Sequence, residues 1–303
     1  MASPPHRQQA FLEDGRDFPP ETPIFANDAA RNHAETLFFA VLQRLEANER
    51  LATPYRRVDM VRLMHRFSRT QQSKDLVLRS FCASACIDMT ADLETVDIEP
   101  LPGKVVEFTD YLFANFFLPL KASSAKTPQP TPASLSVPTL APHEVLPGSA
   151  HGLATLRRDC LIRDKHRCVI SRKFDEVEAA ERIRRDGDDA TDDEGHRFVA
   201  LGMEPDDFAD VEVAHILPHS LMSHEGNVDV DKQTARRNAL AILDMFDVGV
   251  RHLIEGPNVD RPTNALTLTS QYHKRFGSFR TFFLETAEPH TYRIDSLAAP
   301  LLR

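Results

Sequence analysis

The sequence predicts an α+β chain in two parts: an α-helical N-terminal region and a C-terminal domain built on two strands followed by a helix. Three observations predict it. From Asn27 to Lys121 apolar residues recur at three- and four-residue spacing. A stretch holding Pro128, Pro130, Pro132, Pro138, Pro142 and Pro147 among Ser, Thr and Ala then separates that region from the C-terminal half. Beyond it the apolar period shortens to two, at Val211 and Val213 and again over Asn264–Thr269.

A chain of 303 residues, 42 % hydrophobic and 27 % charged, carries enough apolar material for one large or two modest cores. No apolar run reaches membrane-spanning length; Tyr111–Leu120 comes nearest and ends at Pro119. The N-terminus, MASPPHRQQAFLEDGRDFPP, has acids and prolines and no apolar signal core. Cys82, Cys86, Cys160 and Cys168 are too few for a disulfide framework and suit a reducing compartment. The expectation is an intracellular protein, cytoplasmic or nuclear, with no signal peptide, no transmembrane segment and no membrane partner. A net charge of −9 argues against a nucleic-acid partner when taken whole. The charge is uneven, however. Arg157, Arg158, Arg163, Lys165, Arg167, Arg172 and Lys173 form a basic stretch, and DGDDATDDE over Asp186–Glu194 concentrates the acid just after it.

In order along the chain, residues 1–26 are polar and proline-bearing and are expected to be a disordered tail. Residues 27–121 hold four expected helices. The first starts at a cap on Asn27 or Asp28 and runs to Glu49, with Leu37, Phe38, Val41, Leu42 and Leu45 on one face. The others span Arg57–Phe67, Ser73–Thr95 and Val105–Leu118, and the set is expected to pack as a small bundle. Phe38, Phe39, Phe113, Phe116 and Phe117 are expected in its core, with a protein-partner surface as the alternative. Cys82 and Cys86 lie one turn apart without the second pair a zinc site needs, so both are expected to be small buried residues. Residues 122–148 are the linker. Residues 149–303 are expected to form one domain, with a helix at Ala154–Arg163, a short strand Arg167–Ser171, a helix Glu176–Arg184 and the acidic run 186–194 as a solvated insertion. That run lacks the glycine and terminal glutamate of a calcium loop. A helix Thr234–Phe246, strands Gly249–Ile254 and Asn264–Thr269, a helix Gln271–Leu284 capped by Ser270, and a strand Thr291–Ile294 complete it.

The chemistry concentrates in VEVAHILPHSL from Val211 and NALTLTSQYHKRFGSF from Asn264. Two strands followed by a helix bring His215, Asn264 and His273 to one place. Phosphodiester hydrolysis needs a base to activate water, a group to orient it, and a cation to stabilise charge on the phosphate. His215 follows Ala214 and precedes an apolar pair, which leaves its imidazole facing a groove as the base. The Asn264 amide can orient the base or its loop. His273, in a first helical turn, can offer a neutral nitrogen to a metal, and that helix N-terminus points free N–H groups at an incoming phosphate.

These residues resemble the HNH endonuclease family, and most closely its branch in fungal proteins. The elements are CVIS from Cys168, EVAHILP from Glu212, NALTL from Asn264 and HKRF from His273. The resemblance covers about residues 155–295. It implies a ββα-metal fold, hydrolysis of DNA, one divalent ion (Mg, Mn or Zn), His215 as general base, Asn264 as orienting residue and His273 as metal ligand. Arg167, Arg172, Lys173, Lys274 and Arg275 are the candidate phosphate contacts, on the basic stretch and on the helix carrying His273.

Two positions depart from the family pattern. Many HNH nucleases carry a metal-binding aspartate directly before the first histidine, where this chain has Ala214. Glu212 shares that strand face and is the expected second metal ligand, although two residues along a strand is about 7 Å; His219 and Asp260 come after it. Where the family usually has glycine after CVIS or CVIT, this chain has Arg172. The alternative to an endonuclease is an HNH-derived module that is non-catalytic and binds protein or nucleic acid. A protein partner, if one exists, falls to the helical region.

Overall fold

The structure, a computed structural model, describes residues 23–124, 150–200, 202–218, 230–250 and 259–297. Nearly all of the expected tail and linker lie outside the described residues, as do His219 and most of the strand expected over Gly249–Ile254. In chain order the helices are α1 Asp28–Leu45, α2 Glu49–Ala52, α3 Arg57–Phe67, α4 Gln71–Ala85, α5 Leu101–Leu112, α6 Leu118–Ser124 and α7 Ala150–Arg163. After them come β1 Phe174–Asp175, α8 Glu176–Asp186, β2 Phe208–Ala209, β3 Val211–His215, α9 Val230–Asp244, β4 Ala265–Thr269, α10 Ser270–Gly277, β5 Thr281–Glu285 and β6 Tyr292–Ser296. The class is α+β. No described helix is long and apolar enough to cross a membrane.

Contacts divide the chain into two units: residues 1–119 with 226–252, and residues 120–225 with 253–303. The first unit is helical. The α1 face seen in the sequence is buried through Leu37, Phe38, Val41, Leu42 and Leu45, and Phe38 meets Phe81 of α4 edge-on with ring centres 5.2 Å apart. The α4 helix stops at Ala85, not at Thr95, because Cys86 adopts a left-handed conformation (φ 56°) that ends the helical hydrogen bonding. Cys86 is therefore exposed, against expectation, while Cys82 is buried. Of the phenylalanines, Phe38 and Phe116 are core, and Phe39 and Phe113 stay 37 % and 40 % exposed.

The sequence predicts one unbroken C-terminal domain over 149–303, yet α9 packs with the helical unit. Its apolar face (Leu240, Ile242, Leu243) is buried there. Carbonyls at and just past its C-terminus accept hydrogen bonds from Ser73 Oγ (Asp244, 2.9 Å), Ser68 Oγ (Met245, 2.6 Å) and Arg69 N–H (Phe246, 2.8 Å). Helix ends otherwise leave such carbonyls without partners. Apolar periodicity reveals the helix, but periodicity shows a face and not the core that face enters.

The second unit is organised on β3 and β4, which pair antiparallel with Val211 opposite Thr269 and His215 opposite Ala265. A two-stranded sheet is marginal alone; helices cover both of its faces. Leu156 and Cys160 of α7 pack on Val213 and Ala265. On the other face Ala214 and Leu268 pack with Cys168, Tyr272 and Phe276. The expected strand Arg167–Ser171 is instead a turn. Cys168 N–H donates to the Lys173 carbonyl (2.9 Å), Arg172 N–H returns to the Cys168 carbonyl (3.0 Å), and Arg172 takes φ 62°. The expected helix Gln271–Leu284 also divides. It ends at Gly277, Phe279 turns the chain at φ 57°, and β5 pairs with β6 from Thr281 opposite Ser296. TFFLE, rich in β-branched and aromatic residues, is better suited to a strand.

The acidic run is exposed over residues 186–189 as expected, but its second half is closed onto the domain. Asp192 is buried and accepts from Glu194 N–H and His196 N–H, both at 2.9 Å, and from Arg167 at 3.2 Å. Asp193 pairs with His166 and Arg182, both at 2.8 Å, and Glu194 with Lys165. Lys165 and Arg167 of the basic stretch thus bind the acidic run that comes after it.

Candidate functional site

Glu212, His215, Asn264 and His273 are placed by the β3–β4–α10 frame. Thr269, one residue before the expected cap, caps α10 by accepting from Tyr272 N–H. That puts His273 in the first turn beside β3. Its Nδ1 lies 2.5 Å from Glu212 Oε2, and the other Glu212 oxygen accepts from Ser270 Oγ at 2.6 Å. Burial acts to raise the Glu212 carboxyl, but the Ser270 hydroxyl and the His273 ring outweigh it and hold the group below the usual carboxylate range. Glu212 is therefore ionised at neutral pH, and the His273 Nδ1 carries the proton it donates. His273 Nε2 is buried and without a hydrogen-bond partner among the described residues.

This arrangement alters the expected part of Glu212. Both of its oxygens are engaged, and it lies behind His273, hydrogen-bonded to the ring Nδ1 so that it fixes the orientation of the imidazole. Among the described residues only His273 offers an unpartnered buried nitrogen to a cation on this face. Ala214, which shares the face, contributes a methyl group to the packing.

His215 ends β3 and makes a different pair. Its Nε2 lies 3.0 Å from Asp260 Oδ1, and the two side chains are 2 % and 6 % exposed. The sequence predicts an imidazole facing a groove; the structure buries it against a carboxylate. Asn264 lies beside the pair and clamps backbone rather than the ring. Its Oδ1 accepts from Leu217 N–H (3.0 Å), and its Nδ2 donates to the Leu217 and Val259 carbonyls (2.9 Å each). One amide thus ties the chain leaving His215 to the chain entering Asp260. The structure brings His215, Asn264 and Asp260 together at one end of β3. It places His273 with Glu212 on the opposite strand face, about 10 Å away along the strand.

The clamp carries a testable weight. Asn264→Ala removes three hydrogen bonds and strands buried backbone groups, for an expected loss of about 3 kcal/mol. Urea denaturation measures it. Asn264→Asp keeps the acceptor but sets a carboxylate oxygen against the Leu217 and Val259 carbonyls, and is expected to cost at least as much as alanine. A loss below about 0.5 kcal/mol would remove Asn264 from any structural part.

Of the candidate phosphate contacts, Arg167 is committed elsewhere. It pairs with Asp192, donates to the Arg172 carbonyl at 3.0 Å and stacks over Phe174 with its guanidinium 5.2 Å from the ring centre. Arg172 and Lys274 are exposed, Lys173 is half-buried, and half-buried Arg275 donates to Thr281 Oγ1 at 3.3 Å. Asp192, Glu194 and His196 offer ligand atoms within 4.8 Å of one another. Their carboxylates, however, already serve backbone N–H groups, Arg167 and Lys165.

The sequence points to Asp260 only as a possible metal ligand and gives no sign of Ser270 as a partner of Glu212. A carboxylate four residues before the site asparagine is the available signal for the first. Residues 168–284 match the family model described as HNH endonuclease. No curated protein and no solved structure matches the chain.

Proposed function

The chain carries an HNH endonuclease family domain over residues 168–284, and on that premise we propose that it hydrolyses DNA phosphodiester bonds with the help of one divalent cation. The observation that carries this reading is the buried, unpartnered Nε2 of His273, fixed from behind by an ionised carboxylate. That nitrogen donor fits a borderline metal such as zinc. When bound there, the cation would supply positive charge to the phosphate and the leaving oxygen. His215 takes one proton from water through its ring, and the water oxygen bonds to phosphorus. The bond to the leaving sugar oxygen breaks, and that oxygen takes a proton from solvent. Asn264 holds the loop that keeps the base in place.

The test is nicking of supercoiled plasmid by the full chain with Mg²⁺, Mn²⁺ or Zn²⁺, each against a chelator control. Failure to cleave with all three would overturn the reading. A second reading, a non-catalytic HNH-derived module that binds nucleic acid or protein, is favoured by Ala214, which leaves His273 without a neighbouring carboxylate ligand, and by the burial of His215.

Arg172, Lys173, Lys274 and Arg275 are the phosphate contacts in this proposal. Arg172 is the most informative, because its φ of 62° suits glycine. A side chain there costs roughly 1 kcal/mol. Arg172→Gly is expected to stabilise the domain by up to about that amount in urea, while weakening duplex DNA binding and flattening its salt slope by about one. Unchanged DNA affinity would return Arg172 to plain surface charge.

A further inference from the structure

We propose that Asp260 is the positioning residue of the His215 base and decides which ring nitrogen can receive the proton; this rests on the nuclease reading. The pair is built, not incidental. Nε2 and Oδ1 are 3.0 Å apart, and both side chains are almost excluded from solvent. The two backbone segments that carry the pair are tied by the same Asn264 amide, through Leu217 on one side and Val259 on the other. Asn264 fixes the backbone distance, and Asp260 fixes the ring within it.

An ionised carboxylate can only accept. The His215 proton therefore sits on Nε2, and Nδ1 holds the lone pair that takes a proton from water. The opposite tautomer would set an Nε2 lone pair against a carboxylate and present an N–H where a base is needed. After proton transfer the imidazolium is paired with Asp260, so the charge that appears on the ring meets a partner already in place. The two histidines of the site are fixed in opposite senses. Glu212 holds Nδ1 of His273 and frees its Nε2, whereas Asp260 holds Nε2 of His215 and frees its Nδ1. The first suits a metal ligand and the second a base, and a carboxylate sets each.

The full chain, labelled with ¹⁵N-histidine, tests this by NMR of the imidazole nitrogens together with plasmid-cleavage kinetics; His215→Gln identifies the His215 signals. The wild type is expected to show His215 as the Nε2–H tautomer. Asp260→Asn, whose amide can donate to Nε2, is expected to move it toward Nδ1–H and to lower kcat by about 10²–10⁴-fold with KM for DNA unchanged. Asp260→Glu is expected to restore the Nε2–H form and part of the rate. An Nδ1–H tautomer in the wild type overturns the proposal, and that measurement needs no variant to fold. So does a kcat that stays at the wild-type value when the tautomer in Asp260→Asn has changed. A wild type that fails to cleave with all three metals yet keeps the Nε2–H form overturns the nuclease reading, and with it the catalytic use of the pair. The tautomer tells that failure apart from a failure of the pair itself.

Discussion

His215→Ala is expected to lose plasmid nicking by about 10²–10⁴-fold, the usual range for removing a general base. The imidazole is the titratable ring at the end of β3 held by both a carboxylate and a clamped backbone. The alanine variant carries a second effect. It leaves the Asp260 carboxylate, 6 % exposed, without its imidazole partner, and a buried charge that loses a partner destabilises the fold. Lost activity in alanine alone would therefore be ambiguous. His215→Gln separates the two effects, because its amide can donate to Asp260 but cannot take a proton from water. Both variants are expected to be inactive, with glutamine close to wild type by circular dichroism and thermal melting. If glutamine retains the wild-type rate, the base lies elsewhere. If alanine and glutamine both bind metal as the wild type does, the loss is assigned to proton transfer and not to the cation.

How far the sequence carries the site differs by element. EVAHILP and NALTL show β3 and β4 by their alternation; the structure packs Val213 with Ala265 on one covered face, whereas Val211 packs with Cys168, Ala214 and Leu268. The α10 boundary is overrun because the helical spacing of Tyr272 and Phe276 continues by chance into Arg280 and Phe283. Gly277 and the strand-prone TFFLE are the competing signal, and they prevail once β6 offers a partner. The basic and acidic runs are both visible, but composition cannot show that Lys165, His166 and Arg167 are closed onto Asp192, Asp193 and Glu194. Asp260 is legible as a carboxylate near the site and illegible as the partner of His215. Its direction depends on how the chain enters β4, and the Asn264 clamp that sets it reaches across 47 residues of sequence to Leu217. Arg172 is a parallel case. The departure from the family's usual glycine is visible there, yet the stretch reads as a strand, and the left-handed turn at Arg172 emerges only from the structure.

His273→Ala is expected to lower affinity for a divalent cation by more than about 100-fold in titration calorimetry on the full chain, since it removes the buried Nε2 that is this face's donor. Glu212→Gln is expected to cost less, about 10–100-fold, the range for a carboxylate that acts through a histidine. The order of the two effects separates two geometries. With Glu212 behind His273, glutamine keeps a neutral acceptor for Nδ1–H and loses only the charge that makes the ring a stronger donor to the metal. With Glu212 as a ligand in its own right, as the sequence alone suggests, glutamine would equal or exceed the alanine effect, and the 2.5 Å contact to Nδ1 would describe only the metal-free arrangement. Ser270→Ala refines the distinction. It removes the 2.6 Å hydrogen bond on the other Glu212 oxygen, so the carboxyl pKa rises, and metal affinity is expected to fall further as the pH is lowered than it does in the wild type. Wild-type and His273→Ala proteins with equal affinity would remove His273 from the metal site, and with it the observation on which the enzymatic reading stands.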